Sequence, residues 1–144
     1  MTGEMAHEFR VSRTVEFADT DMGGIVHFAR YLVFMETAEH ELLEKAGTCL
    51  VSQINGKRVL WPRVAASLQY KSPARFGDTL DIHVKLMRKG RKSLTYFCRI
   101  EVEGREIATG EWTTVCCEME PGRPVRSIPI PPELDRRLEE APDS

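Results

Sequence analysis

One long helical pattern sets the limits on what this chain can fold into. From about Phe28 to Ala46, apolar side chains at Tyr31, Phe34, Met35, Ala38, Leu42, Leu43 and Ala46 recur at three- and four-residue spacing, and Gly47 supplies a C-terminal stop. It is the one long amphipathic helix of the sequence, so the remaining elements must be organised around it. Its other positions, Glu36, Glu39, His40, Glu41, Glu44 and Lys45, are polar and mostly acidic, which suits solvent or a groove rather than a core.

The rest reads as strands. Residues 9–17 alternate through Phe9, Val11, Arg13, Val15 and Phe17 and predict a strand that ends in the turn Ala18-Asp19-Thr20-Asp21-Met22-Gly23-Gly24. Residues 50–56 are ambiguous and read as a short helical turn, while Val59 to Tyr70 looks like one extended stretch with Pro62 near its start. After a turn over Ser72–Asp78, Leu80, Ile82, Val84 and Leu86 alternate with Asp81, His83 and Lys85. The short turns Arg88–Lys92 and Glu103–Arg105 then join this strand to Leu94–Val102 and Ile107–Cys117, predicting an antiparallel meander. A proline-rich segment from Glu120 leads to Glu133–Glu140, where a helical turn or two precedes a fraying end. The order is strand, long helix, then four or so consecutive strands: an α+β fold in one domain over residues 1–144, its core about 8–131 and its tail 132–144. A sheet wrapped on one helix leaves edge strands to cover, and pairing with a second copy is one way to cover them.

The sequence has 144 residues and a mass of 16.4 kDa, and 42% hydrophobic content suffices for one core. Its 20 Lys and Arg against 22 Asp and Glu give a charge of −2 with no block of one sign, which argues against a strongly basic nucleic-acid binder. No apolar run has the length of a signal peptide core or a membrane span. Cys49, Cys98, Cys116 and Cys117 form no C-x-x-C pair and read as free thiols in a reducing cytoplasm. His7, His27, His40 and His83 are scattered, without metal-ligand spacing, and no metal or cofactor is expected. His40 and His83 fall on polar faces and read as surface residues, while Trp61, Trp112, Tyr70, Phe76 and Tyr96 read as core or pocket lining. Phosphate-loop and serine-elbow motifs are missing.

What remains is the carboxylate-bearing turn before the helix. Helix starts expose unpaired N–H groups with partial positive charge, so the first amides, near Phe28, are placed to hold a carbonyl oxygen as it gains negative charge. A nearby carboxylate can then attack or activate water. Asp19 and Asp21 can equally serve as turn residues, bonding to backbone, and spacing alone leaves these readings open.

The run FADTDMGGIVHFARYLVFMETAEHELLEKAG, with D-T-D-x-x-G-x-V followed by a helical Tyr and a Glu, resembles the signature region of the 4-hydroxybenzoyl-CoA thioesterase family and its Tol-Pal-type acyl-CoA thioesterase relatives. The segments KGRKSLTYFCRI and RPVRSIPIP extend the similarity to roughly residues 10–131. The resemblance implies the hotdog fold, an antiparallel sheet wrapped around one central helix. It also implies Asp21 as the catalytic carboxylate, acting as nucleophile through an anhydride or as general base on water, and the Phe28 backbone N–H as the oxyanion donor. Gly24 and Tyr31 belong to the same motif as substrate-binding positions, and Glu36 matches an acidic residue two turns into the helix. His27 departs from the pattern, in which relatives carry an aromatic residue here and several place a His one position later; it flanks the catalytic turn and is kept as a candidate.

The resemblance further implies a coenzyme A thioester as substrate, with Arg91, Lys92 and Arg126 contacting the nucleotide phosphates, and a pocket between the subunits of a homodimer or homotetramer. Two alternatives share the motif. In one the acyl group is carried on acyl carrier protein; in the other the chain binds acyl thioesters without turnover and Asp21 is a turn residue.

Overall fold

The computed structural model describes residues 5–54 and 56–142. Among these residues nine strands and two α-helices follow the order β1 (Glu8–Thr14), α1 (Arg30–Lys45), β2 (Val51–Ile54), β3 (Lys57–Leu60), β4 (Arg63–Tyr70), β5 (Thr79–Lys89), β6 (Ser93–Val102), β7 (Arg105–Val115), β8 (Cys117–Met119), β9 (Arg126–Ser127) and α2 (Pro132–Asp135). The main sheet has five strands in the order β1-β5-β6-β7-β4, all antiparallel, and a smaller one runs β2-β3-β8-β9.

Helix α1 lies on the main sheet as its periodicity requires. Tyr31, Phe34, Met35, Ala38, Leu42 and Leu43 are buried against the inward side chains of β5 and β6, Leu80, Ile82, Val84, Leu86, Leu94 and Ile100 among them. Burying each such Leu or Ile contributes about 1.5–3 kcal/mol. The helix ends in a Schellman motif: Gly47 has φ 88°, its N–H donates to Glu44 O at 2.9 Å, and Thr48 N–H reaches back to Leu43 O at 2.9 Å. Close approach of helix and sheet also fixes Gly110 on β7, where a Cβ would lie 2.5 Å from Met35 Sδ.

Several expectations are corrected. Residues 51–54 form a strand, not a helical turn, because β3 offers a partner across a tight connection. The stretch 59–70 is two strands in different sheets: Trp61 and Pro62 separate β3 from β4, since proline cannot donate to a ladder. Likewise 107–117 breaks at Cys116, so that β7 stays in the main sheet while β8 joins β3. Among the described residues eight strands rather than about four follow α1. The tail stays packed as far as Leu138. Helix α2 spans only four residues, and Leu134 and Leu138 are buried. Ala6 pairs with Leu138, and Lys89 Nζ donates to the carbonyls of Asp135 and Leu138 at 3.0 and 2.8 Å.

Strand β4 closes one edge of the main sheet. Among its residues only Leu68 is half-buried, and the others are exposed. None of the four cysteines is in a disulfide; burial pushes the Cys98 and Cys116 thiols up to about 12. Among the described residues no helix is long and apolar enough to cross a membrane.

Candidate active site

The turn between β1 and α1 is built by Asp19. Its carboxylate, 5% exposed, accepts from Glu16 N–H at 2.9 Å through Oδ2, and from Arg30 Nε and Nη2 at 2.9 and 2.8 Å through Oδ1. Its carbonyl accepts from His27 N–H at 2.8 Å. The first aspartate of the motif therefore ties the end of β1 to the first residue of α1.

Asp21 is held differently. Its N–H donates to Ile25 O at 2.9 Å and its carbonyl accepts from Gly24 N–H at 3.0 Å, closing a small loop in which Gly24 takes φ 80°. Oδ1 accepts from Gly23 N–H at 2.8 Å, and Oδ2 accepts from none of the described residues. The side chain is exposed. It opens onto a cleft of about 390 Å³ lined by Ile25, Phe28, Tyr31, Tyr70 and Pro73 among others.

The Phe28 N–H likewise has no acceptor among the described residues, one turn ahead of the helical hydrogen bonds. Phe28 is fixed from its other side, because Tyr70 Oη donates to its carbonyl at 3.1 Å. The Tyr31 and Tyr70 rings meet edge to face at 5.7 Å, closing the cleft between α1 and β4. Burial pushes the Tyr31 phenol up from its ordinary value. Asp21, with one open carboxylate oxygen, and Phe28, whose N–H is unpaired, thus both line one cleft. A thioester carbonyl lying between them would face a base or nucleophile and a donor for its developing charge.

Other candidates stand elsewhere. His27 is exposed, stacks on the Phe28 ring at 4.8 Å, and accepts from Ala29 N–H at 3.1 Å through Nδ1, so that it braces the turn before α1 and lies outside the cleft lining. Glu36 lies eight residues beyond Phe28, about 12 Å along the axis at 1.5 Å per residue, and its Oε2 pairs with Arg63 Nη2 at 3.2 Å in a second cleft. The β5–β6 hairpin carries Arg91, exposed, and Lys92, whose Nζ donates to Ser127 Oγ at 3.3 Å. Arg126 is engaged by the buried Glu118, whose carboxyl these contacts hold below its usual range, with Lys57 Nζ adding a further contact at 3.4 Å. None of the three lines the Asp21 cleft of its own chain.

Two surface readings are corrected. Glu39, expected toward solvent, is fully buried, its Oε1 accepting from Arg63 Nη2 at 2.6 Å and from Trp112 Nε1 at 3.0 Å. Burial pushes its carboxyl above the ordinary value in spite of Arg63. The signal was in the helical period: position 39 lies four residues after Met35 and three before Leu42, inside the apolar stripe. His83 is half-buried beside Glu8, at 3.3 Å, because β1 pairs along β5 and sets its side chains next to it, and its desolvation holds its pKa below the usual value.

A family model described as the thioesterase-like superfamily matches residues 15–138. The chain is 32% identical over 133 residues to a 1,4-dihydroxy-2-naphthoyl-CoA hydrolase of Thermosynechococcus vestitus, covering 91% of this chain and 88% of the relative. It is 29% identical to the putative acyl-CoA thioesterase YneP of Bacillus subtilis, covering 88% and 92%. Among solved structures, BH1999 gentisyl-coenzyme A thioesterase superposes with a TM-score of 0.76 at 28% identity, over 88% of this chain and 99% of that one. The 4-hydroxybenzoyl-CoA thioesterase from Pseudomonas sp. strain CBS-3 has a TM-score of 0.76 at 19% identity, over 91% and 99%, a likeness of fold, which is the hotdog fold. The chain belongs to the thioesterase-like superfamily.

Proposed function

We propose that this protein is an acyl-CoA thioesterase in which Asp21 is the catalytic carboxylate and the Phe28 N–H binds the oxyanion. The observation that carries the reading is that one cleft is lined both by Asp21, whose Oδ2 is open, and by Phe28, whose N–H is unpartnered. The thioester carbonyl oxygen accepts from the amide, which is aimed by the start of α1 and held by Tyr70 through the Phe28 carbonyl. Asp21 then attacks the carbonyl carbon, giving an anhydride that water opens, or takes a proton from the attacking water; in either case CoA thiolate leaves and a carboxylic acid remains. Gly24 gives the loop its shape, and Tyr31 walls the acyl end of the cleft.

Coenzyme A brings phosphates, and the β5–β6 hairpin brings Arg91 and Lys92 to meet them; Arg126, neutralised by Glu118, adds less. We infer a homo-oligomer in which exposed β4 edges pair between copies, which covers an open ladder and brings a second chain's hairpin toward the cleft. Four cysteines outside any disulfide fit the reducing cytoplasm. Thiol release from a panel of short aliphatic, long aliphatic and aromatic acyl-CoAs tests the activity. Turnover of at least one of them is expected; binding without turnover of any thioester would contradict it.

A further inference from the structure

From Val26 to Arg30 five consecutive N–H groups lead into α1, and four of them are occupied. Val26 N–H donates to Ala74 O at 2.9 Å, His27 N–H to Asp19 O at 2.8 Å, Ala29 N–H to His27 Nδ1 at 3.1 Å and Arg30 N–H to His27 O at 2.9 Å. Only the Phe28 N–H has no acceptor among the described residues, and Phe28 lines the cleft that Asp21 also lines. The peptide unit that carries this N–H has the His27 carbonyl at its other end. Because Arg30 N–H donates to that carbonyl, the unit is polarised in the sense that makes the Phe28 N–H a stronger donor.

Three residues close a ring around that peptide. His27 N–H reaches the Asp19 carbonyl, the His27 carbonyl receives Arg30 N–H, and the Arg30 guanidinium returns to Asp19, with Nε and Nη2 at 2.9 and 2.8 Å from Oδ1. The Asp19 carboxylate is 5% exposed and is fixed at Oδ2 by Glu16 N–H. Such a ring leaves the peptide between His27 and Phe28 little room to turn, which is what a preorganised donor requires.

Helix formation alone does not call for this arrangement. Helix α1 has Ala29 at its cap position without a side-chain cap, no acidic residue in its first turn, and an arginine as its first residue. Ser, Thr, Asp or Asn would cap the free amides, and a cation at the N-terminus opposes the helix dipole. The contact with Asp19 accounts for Arg30, whose guanidinium is steadied further by the Phe34 ring, its centre 5.9 Å away. Asp21 stands outside the ring, bonded to Gly23, Gly24 and Ile25, so the ring can be opened with the bonds of the Asp21 loop intact.

We propose that Arg30, acting through Asp19, is a positioning residue for the oxyanion donor: the pair holds the peptide between His27 and Phe28 so that its N–H aims at the thioester carbonyl. The assignment rests on the thioesterase reading above, which supplies that carbonyl.

The test uses butyryl-, decanoyl- and benzoyl-CoA with wild type, Arg30→Met and Arg30→Lys. On the thioester turned over fastest, Arg30→Met should lower kcat by about tenfold to 10²-fold and change KM by less than about threefold, because a misaimed amide fails the oxyanion rather than the bound substrate. Arg30→Lys keeps the charge but not the paired donors, and should recover part of that loss. The second readout is the infrared stretch of an isotope-labelled thioester carbonyl bound to Asp21→Asn, in which hydrolysis is expected to be slow. Its downshift on binding should shrink by about half or more when Arg30→Met is added. Should Arg30→Met fail to fold by circular dichroism, Arg30→Lys carries both readouts, with smaller losses in the same direction. Where wild type turns over a thioester, an unchanged stretch, whatever happens to kcat or to unfolding, would make the pair structural only and overturn the assignment while leaving the thioesterase reading in place. A rise in KM at constant kcat would do the same. If benzoyl-CoA binds wild type without turnover of any of the three thioesters, an Arg30-dependent downshift would uphold the positioning role and remove the hydrolytic reading. Absence of both turnover and binding would overturn both.

Discussion

Asp19 and Asp21 stand two residues apart in one turn, yet Asp19 is closed off by donors from Glu16 and Arg30 while Asp21 keeps Oδ2 open. The D-T-D spacing alone does not distinguish them, since either aspartate can cap a turn. What separates them is Arg30, whose reach back to Asp19 depends on where α1 starts. Resemblance to a family pointed to Asp21, and the geometry supplies a physical reason for the difference. Gly24 carries a related dependence, because its φ of 80° is strained for any residue with a Cβ, although space around it is open. Gly24→Ala is expected to cost about 1 kcal/mol, the ordinary penalty of a left-handed L-residue, and to lower kcat more than KM, since the same loop aims the Asp21 carboxylate. Thermal unfolding and steady-state kinetics check it; unchanged kcat would detach the loop from the chemistry. Glu39 shows what residue type hides. The helical period places it inside, its charge argues for the outside, and the partners that reconcile the two, Arg63 and Trp112, are 24 and 73 residues away.

At the scale of elements, α1 and the β5–β6–β7 meander could be read directly, because a 3.6-residue period and a two-residue alternation each dictate one buried face. The small sheet could not. Its strands run two to four residues, too short for a pattern, and β3 finds β8 across more than fifty residues of chain. The Arg63 contact with Glu36 and Glu39 joins α1 to β4. Arg63→Met strands a buried carboxylate and is expected to destabilise the fold by about 3 kcal/mol, measured by denaturant unfolding; a loss below about 1 kcal/mol would mean that Glu39 protonates or rehydrates without Arg63. The pH dependence has a definite sign. Because burial raises Glu39 above the ordinary 4.5, the folded chain keeps a proton that the unfolded chain has lost at and above that pH. Stability contributed at this site therefore falls as pH rises from about 4.5 through the folded-state value. The stability difference between wild type and Glu39→Gln should shrink or reverse across that interval, whereas a flat difference would contradict the raised pKa.

For the whole molecule, an edge strand exposed along almost its full length is the main feature the isolated chain leaves uncovered. The sequence pointed to association in general terms, since one helix cannot cover both faces and both edges of a sheet. It gave no choice of edge, because β4 pairs only with β7 and that register depends on the folded sheet. If β4 edges pair, Val64→Lys, at a position now 62% exposed, puts two like charges into the seam. Sedimentation equilibrium should then show a lower mass than for wild type, and activity should fall with it. An unchanged mass would place the association on another surface. The tail belongs to this scale too: composition alone suggested a fraying end, but Leu134 and Leu138 find cover only once the N-terminal segment and β5 are in place.

The proposed chemistry turns on one negative charge, and steady-state CoA release by wild type and Asp21→Asn, measured side by side on the best acyl-CoA of the panel, reads its contribution. The substitution keeps the shape and the Gly23 contact while removing the negative charge. A fall in kcat of about 10³-fold or more, with KM changed little, is the predicted result for a group that acts only in the transition state. Equal turnover by the two proteins would remove Asp21 from the chemistry and place the reacting carboxylate elsewhere.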